Sequence, residues 1–153
     1  MTAMRATRGW FTALIIIISA FFAATLPAQA ETLASFLPKL DPAQMHPEAD
    51  AFGPVRDDIA VAPVLKGGET VAWAFLTSDF VGTTGYSGKP IHVVAAIDAD
   101  AVLTGVELVK HSEPIVLIGI PNSKITALTE GYKGLDLKAE AASGGDAHDL
   151  DII

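Results

Sequence analysis

Residues 91–97 (IHVVAAI) and 102–109 (VLTGVELV) flank the short segment Asp98-Ala99-Asp100. Both flanking runs are rich in β-branched residues, which favour strands, and a short Asp-containing segment between two such runs is typical of a hairpin turn. The sequence therefore predicts two antiparallel strands joined at residues 98–100. Such a hairpin indicates a fold built on an antiparallel sheet.

A second hairpin is predicted immediately before the first. Residues 59–65 and 70–77 are rich in β-branched and aromatic side chains, and they are separated by Lys66-Gly67-Gly68-Glu69. Two such runs joined by a Gly-Gly pair are typical of a tight hairpin turn. Because residues 71–76 (VAWAFL) are apolar at nearly every position, we expect both faces of that strand to be covered.

One short helix is predicted after the sheet. Residues 122–130 follow a proline and offer Asn122 as an N-cap, with Ile125 and Leu128 on one apolar stripe and Gly131 as the closing residue. After Gly134, the segment Ser143-Gly144-Gly145 predicts a loop or turn, and apolar residues return at Leu150, Ile152 and Ile153. The sheet and this helix indicate an antiparallel sheet flanked by short helices.

The segment 31–58 is dense in proline and acidic residues. Each proline fixes its own φ and biases the residue before it away from the helical conformation, so long elements are disfavoured here. We predict a short helix near residues 32–37 and then a loop to about Asp58. The whole chain after residue 30 is thus predicted to be a single small α+β domain, with residues 59–153 as its main part.

The first thirty residues are typical of a secretory signal peptide. Arg5 and Arg8 form a short basic region, residues 11–26 are almost uninterrupted apolar sequence, and Ala28-Gln29-Ala30 fits a cleavage site. We expect export with cleavage after Ala30, so that the mature chain begins at Glu31. An uncleaved membrane anchor is the alternative, because the apolar run approaches the length of a membrane span.

Composition excludes several classes of protein. The 153 residues include 18 acidic and 10 basic side chains and no cysteine. Without cysteine there is no disulfide framework, thiolate zinc site or iron–sulfur cluster in this chain, so redox chemistry would need an organic cofactor. Loss of two arginines with residues 1–30 would change the net charge from −8 to −10. Such a charge opposes binding to nucleic-acid phosphates and to anionic lipid surfaces.

The first candidate site is a glycine-rich loop at residues 82–90 (GTTGYSGKP). Its three glycines allow backbone amides to approach a ligand closely, and Tyr86 offers an aromatic surface. The spacing matches neither the nucleoside-triphosphate loop nor the dinucleotide fingerprint. A plain surface connection is the alternative interpretation.

The second candidate site is His111-Ser112-Glu113-Pro114, which stands directly before an apolar run that ends at Pro121. If residues 109–113 were extended, His111 and Glu113 would share one face and could form a hydrogen-bonded acid–base pair. Two ligands rarely make a metal site, and the other three histidines lie in unrelated contexts, so a structural role is favoured for each. Hydrolysis has no support, because no serine lies in a G-x-S-x-G setting.

Residues 85–91, the Asp98/Asp100 hairpin and residues 111–121 together resemble the periplasmic FMN-binding domain of NosR/NirI-type membrane proteins, which support nitrous oxide reductase in denitrifying bacteria. The resemblance covers about residues 59–153. It implies a periplasmic flavin domain, exported ahead of an inner-membrane region and cytoplasmic iron–sulfur modules, that passes electrons toward the reductase or its maturation. Such an electron-transfer domain is not expected to be a stand-alone enzyme. Its implied partners are those modules, a flavin transferase, and nitrous oxide reductase or its maturation factors.

The resemblance also implies how the cofactor is held. In the wider family, FMN is attached through its phosphate to a threonine in the motif Asp-x-x-Ser-Gly-Ala-Thr. This sequence ends with Asp151-Ile152-Ile153, which matches the first three positions, so we expect the acceptor threonine just beyond Ile153 and regard the chain as an N-terminal fragment. A natural truncation is the alternative.

The expected FMN-binding residues combine both candidate sites with the acidic motif position, and neither a metal site nor a catalytic residue is expected. They are Gly85, Tyr86, Ser87, Gly88, His111, Glu113, Pro114, Ile115 and Asp151. Two other functions remain open: a flavin- or ligand-sensing regulatory module without turnover, and a cofactor-free secreted scaffold domain.

Overall fold

The computed structural model describes residues 31–82 and 84–143. The predicted signal peptide at residues 1–30 and the motif residue Asp151 lie outside the described residues. Within them, five strands form one antiparallel sheet in the order β1-β2-β3-β4-β5, so each strand pairs with its neighbour in the sequence. This confirms the predicted α+β fold with an antiparallel sheet.

The elements that the structure describes are all short. The strands are β1 Ala51–Phe52, β2 Val61–Lys66, β3 Glu69–Leu76, β4 His92–Ile97 and β5 Leu103–Lys110. The helices are α1 Leu33–Phe36, α2 Pro42–Met45, α3 Pro114–Gly119, α4 Asn122–Gly131 and α5 Leu137–Ser143, with 3₁₀ turns at Leu37–Lys39 and Thr77–Asp79. None of these helices is long and apolar enough to cross a membrane.

Both predicted hairpins are confirmed. Strands β2 and β3 are joined by Gly67 and Gly68, whose φ values of 59° and 87° lie in the left-handed region that glycine adopts without strain. Strands β4 and β5 are joined by a turn in which the Asp98 carboxylate accepts the backbone N–H groups of Asp100 at 2.9 Å and Val102 at 3.0 Å. An aspartate of this kind caps its own turn.

The core lies on one face of the sheet. Helix α1, the 3₁₀ turn after it and α2 pack there against alternate residues of β2, β3 and β4, and the buried set is Leu33, Phe36, Leu37, Met45, Ala49, Ala62, Val64, Ala72, Ala74, Leu76, Val94 and Ala96. On the other face of β3, Val71, Trp73 and Phe75 are half-buried. That face is therefore only partly covered, where the sequence predicted cover on both faces.

The segment after α1 is more regular than predicted. The helix expected near residues 32–37 is present as α1, but the predicted loop contains helix α2 and strand β1. Helix α2 begins because the Asp41 carboxylate accepts the Ala43 N–H at 3.0 Å and Pro42 occupies the first helical position. A Cβ at Gly105 would lie 2.6 Å from the Gln44 carbonyl oxygen, so α2 packs closely on β5 because that residue is glycine.

Between the sheet and Ser143, where the described part of the chain ends, there are three helices, where the sequence predicted one. Pro114 is the first residue of α3, a position that suits proline because the amide there has no helical partner. Pro121 is the N-cap residue of α4, so the prediction of Asn122 as the cap is wrong and Asn122 is the first helical residue. Neither α4 nor α5 contains a buried residue.

Candidate functional site

The two candidate motifs meet at the carboxylate of Glu113. This group accepts hydrogen bonds from the Tyr86 N–H at 2.9 Å, the Ser87 N–H at 3.3 Å and the Ser87 hydroxyl at 2.8 Å. We call this arrangement of Glu113, Tyr86 and Ser87 the Glu113 clasp. It brings together two segments that the sequence analysis had connected only through the family resemblance.

Two glycines shape the loop of the clasp for different reasons. A Cβ at Gly85 would overlap the Glu113 carboxylate, so the close approach of the two segments requires glycine there. Gly88 has a φ of 71° and open space where its Cβ would lie. Its requirement is therefore conformational, because few other residues adopt a left-handed backbone.

The clasp keeps Glu113 ionised. The Ser87 hydroxyl lowers the pKa of Glu113 most, and the Ser87 and Tyr86 amides and nearby His111 lower it further. Hydrogen bonds donated to a carboxylate favour its charged form. The ionised Glu113 carboxylate therefore orders the loop through its hydrogen bonds with Tyr86 and Ser87.

His111 and Glu113 do not form the predicted pair of side chains. The backbone N–H of Glu113 donates to Nδ1 of His111 at 3.3 Å, while the Glu113 carboxylate faces the loop. The paired strand ends at Lys110, and Glu113, whose own backbone is extended, is the N-cap residue of α3. The prediction that the His111 and Glu113 side chains form a hydrogen-bonded acid–base pair is therefore wrong.

Beside His111 lies a half-open cleft of about 300 Å³ between β5 and α4, here called the β5–α4 cleft. Its apolar lining comes from Val106, Leu108 and Ile125, and its polar lining includes His111, Asn122, Thr126 and Thr129. The sequence analysis missed this cleft. The signal was present in α4, where residues 122, 126 and 129 follow helical spacing along one face.

A carboxyl group with altered acidity also lines the cleft. Burial, and then the nearby Asp41, raises the pKa of Glu107, and Lys133 partly offsets this. Lys133 itself forms an ion pair with Glu130 at 2.6 Å. The cleft therefore offers a carboxyl group that is more easily protonated than an ordinary glutamate.

The remaining predicted residues begin α3 and lead to an exposed apolar surface. Pro114 and Ile115 are its first two residues, and the Leu117 N–H donates to the Glu113 carbonyl at 3.1 Å. Leu117 is 67% exposed and Ile118 87%, while Tyr86 across the clasp is 94% exposed. Large apolar groups thus face outward on both sides of Glu113.

The sequence analysis assigned no partner to His92, which is buried in a polar network. Its Nδ1 lies 2.7 Å from the Ser78 hydroxyl and its Nε2 lies 2.8 Å from the Glu31 carboxylate, which also pairs with Lys110. The signal for its burial was the alternation of β4, in which position 92 shares a face with the buried Val94. This network ties the start of the described chain to the sheet.

Among residues 31–82 and 84–143, no group of three or more histidine, aspartate or glutamate side chains is arranged to hold a metal ion.

Comparisons with known proteins give the family. The chain is 38% identical over 110 residues to Regulatory protein NosR of Pseudomonas aeruginosa, a match that covers 72% of this chain and 15% of that protein. It is 34% identical over 124 residues to Protein NirI of Paracoccus denitrificans, covering 78% of this chain and 18% of NirI. It is 31% identical over 137 residues to Regulatory protein NosR of Stutzerimonas stutzeri, covering 90% of this chain and 18% of that protein.

The chain thus spans less than a fifth of the length of these curated relatives. No protein-family model matches it, and no solved structure does. The three matches nevertheless extend over most of this chain at 31–38% identity. By this similarity the chain belongs to the NosR/NirI family.

Proposed function

We propose that this chain is an exported, FMN-binding electron-transfer domain of a NosR-type protein that supports nitrous oxide reductase in denitrification. Membership of the NosR/NirI family supports the context. The observation that carries the flavin proposal is the position of His111, which belongs to the second motif, contacts the Glu113 clasp and lines the β5–α4 cleft.

The residues of the cleft fit a flavin ring system. Such a ring is a flat apolar body with one polar edge, and the cleft combines Val106, Leu108 and Ile125 with polar groups at its rim. Its volume of about 300 Å³ is at the lower end of ligand pockets. A cleft of this size would hold the ring and leave the ribityl phosphate outside, where a covalent tether could reach it.

Each part of the site would have a separate task. FMN when bound supplies one- and two-electron redox chemistry. His111, Asn122 and Thr126 would hold its polar edge, and the apolar residues would cover the ring and exclude water. The Glu113 clasp would fix the Tyr86 loop beside this rim, because its hydrogen bonds already order that loop.

The proposal includes the location and partners implied by the resemblance. Residues 1–30 would direct export to the periplasm, and a flavin transferase would attach FMN to a threonine beyond Ile153. The longer protein would reside in the inner membrane. Electrons would pass between its membrane and iron–sulfur modules and nitrous oxide reductase or its maturation factors.

The covalent tether is tested in a lengthened chain. We extend the sequence beyond Ile153 with Ser-Gly-Ala-Thr and a few further residues and export it together with a flavin transferase. We expect a fluorescent band that survives denaturing electrophoresis and a mass increase equal to FMN less water. Asp151→Ala should reduce the labelling. Labelling of a residue within 31–153 would contradict the proposed attachment site.

The ring position is tested in the same lengthened chain. His111→Ala should shift the flavin absorption spectrum and midpoint potential. His46→Ala should not, because His46 is not among the residues that line the cleft and its Nδ1 lies 2.8 Å from the neighbouring Pro47 carbonyl oxygen. Gly85→Ala should also shift them through the clasp. If His111→Ala and Gly85→Ala both left the spectrum and potential unchanged while labelling persisted, the cleft would be the wrong site.

A sensing role is the second candidate, favoured because two of the relatives carry the printed name Regulatory protein. A sensor would bind flavin without exchanging electrons with a partner. Stopped-flow mixing of the reduced, labelled domain with oxidised nitrous oxide reductase separates the two roles. Flavin reoxidation on a catalytic timescale supports electron transfer, and its absence supports sensing.

A further inference from the structure

One carboxyl group in the wall of the β5–α4 cleft has no role in the clasp or in the tie to the sheet. Glu107 lines the cleft between Val106 and Leu108 and is half-buried. In the part of the chain that the structure describes, its carboxylate takes part in no hydrogen bond and no ion pair. A half-buried carboxylate without a donor disfavours its charged form.

The charged groups around Glu107 belong to three other parts of the chain. Asp41 caps helix α2, and together with burial it raises the pKa of Glu107. Lys133, just after α4, lowers that pKa, but its ammonium group also pairs with the Glu130 carboxylate at 2.6 Å. His111 lines the same cleft beyond the end of β5. Glu107 is therefore an unpaired acid that responds to any charge brought into the cleft.

We propose that Glu107 takes up a proton when an electron enters the β5–α4 cleft and releases it when the electron leaves, so that the midpoint potential depends on pH. This step rests on the proposed function, because it needs a flavin in the cleft. In the forward direction, one electron passes from a reduced iron–sulfur module to the cleft, and one proton passes from solvent to a Glu107 oxygen, where an O–H bond forms. Reoxidation reverses both transfers.

The physical reason is repulsion between like charges in a half-open cleft. An electron added beside Glu107 places negative charge near its carboxylate, and a nearby negative charge favours the protonated acid. Such an interaction is stronger in a partly buried site than in bulk water. The pKa of Glu107 is therefore expected to be higher when the flavin is reduced. Because linkage is reciprocal, the ionised carboxylate in turn opposes reduction.

Glu107 is better placed for this role than His111, the other titratable group beside the clasp. Nδ1 of His111 already accepts the Glu113 N–H at 3.3 Å. A fully protonated imidazole has no acceptor nitrogen, so protonating His111 would break that hydrogen bond. No comparable bond has to break when Glu107 gains a proton.

The lengthened, FMN-labelled chain tests the inference through its midpoint potential, measured from about pH 5 to about pH 8. The wild-type potential should fall more steeply with rising pH than that of Glu107→Gln. The two potentials should converge at low pH, where the wild-type carboxyl is protonated, and Glu107→Gln should be higher at high pH. Glu107→Asp should retain part of the pH dependence. Glu69→Gln, which changes an exposed glutamate at the start of β3, should follow the wild type.

A second measurement follows the carboxyl group itself. Carbon nuclear magnetic resonance gives the pKa of Glu107 in the fully oxidised and fully reduced labelled chain, and Glu107→Gln identifies its signal. The pKa should be higher in the reduced chain. This readout does not depend on any partner protein.

Two results would overturn the inference and leave the proposed function intact. The first is a labelled chain in which His111→Ala shifts the potential but Glu107→Gln changes neither the potential nor its pH dependence. The second is a Glu107 pKa that is the same in the oxidised and reduced chain. If instead neither His111→Ala nor Gly85→Ala shifted the potential, the ring would lie outside the cleft, and the proposed flavin position and the role of Glu107 would fail together.

Discussion

Two carboxylates tie distant parts of this chain together, and they do so in opposite surroundings. Glu31 bonds to the buried ring of His92 at 2.8 Å and also pairs with Lys110. Glu113 bonds to backbone and hydroxyl groups of an exposed loop. The first tie closes one side of the core, and the second holds the edge of the candidate site.

The helices before the sheet and the helices after it also differ in how many residues they bury. Helices α1 and α2 bury Leu33, Phe36 and Met45 against the sheet, whereas α4 and α5 bury no residue. Stability is therefore concentrated in the sheet and the helices before it. The helices after the sheet contribute less to the core and are available to form the cleft, as expected for regions that bind ligands.

The sharpest test of this contrast compares a leucine in α1, before the sheet, with a leucine in α4, after it. Leu33→Ala should lower the free energy of unfolding by about 3 kcal/mol, because it deletes a fully buried side chain. Leu128→Ala should lower it by less than about 1 kcal/mol, because Leu128 in α4 is only half-buried. Urea titration followed by tryptophan fluorescence measures both. Equal losses would show that α4 belongs to the core.

The sequence predicted the hairpins of the sheet, but it predicted neither helix α2 nor the contact that forms the Glu113 clasp. The hairpins were predictable because strand alternation and the turn residues Gly67, Gly68 and Asp98 are local signals. Helix α2 was missed because it is one turn long, and only the Asp41-Pro42 pair marks it. No short-range pattern could predict the clasp contact between Ser87 and Glu113, since that contact depends on how the loop folds back over the end of β5.

The candidate site was predicted as two motifs and not as a cavity. The sequence predicted His111 and Glu113 as one pair, but the Glu113 carboxylate binds the Tyr86–Ser87 loop while His111 lines the cleft. The cleft depends on the distance between α4 and β5, which is a tertiary property. The polar face of α4, with Asn122 and Thr126 one turn apart, was the available hint.

A second test compares two histidines. His92→Ala should lower the free energy of unfolding by about 2 kcal/mol, because it leaves the Ser78 hydroxyl and the Glu31 carboxylate without their partner and opens a cavity beside Phe36. His111→Ala should lower it by less than about 1 kcal/mol, since that residue is half-buried at the cleft. The reverse order would contradict the division between core and site.

A third test separates the two glycine requirements in the clasp. Gly85→Ala should increase the hydrogen-exchange rates of the Tyr86 and Ser87 amides by roughly 3- to 10-fold, the equivalent of about one net hydrogen bond. Gly88→Asn should change them little, because asparagine tolerates the left-handed backbone and the space at Gly88 is open. Nuclear magnetic resonance resolves the individual amides. An unchanged rate in Gly85→Ala would mean that the clasp does not hold the loop in solution.

The smallest expected effects come from two glutamates near the site, and they have opposite signs. The pKa of Glu113 is lowered, first by the Ser87 hydroxyl, so its contribution to stability is present above the unfolded pKa and is lost as pH falls through the folded pKa. The pKa of Glu107 is raised, first by burial, so ionising it opposes folding. Its contribution is therefore present below the unfolded pKa and is lost as pH rises through the folded pKa.

Matched amide variants test these signs. At about pH 7, Glu113→Gln should lower the urea midpoint, because it removes a charge that the folded state favours. Glu107→Gln should raise the midpoint, because it removes a charge that the folded state disfavours. As the pH falls, the difference for Glu107 should shrink first, because its raised pKa lets the folded protein take up that proton at a higher pH. The difference for Glu113 should persist to a lower pH, because its pKa is lowered. If both variants lowered the urea midpoint at neutral pH, the ionised Glu107 would have a partner that offsets its burial. Glu107 would then stabilise the fold in the same way as Glu113 does in the clasp.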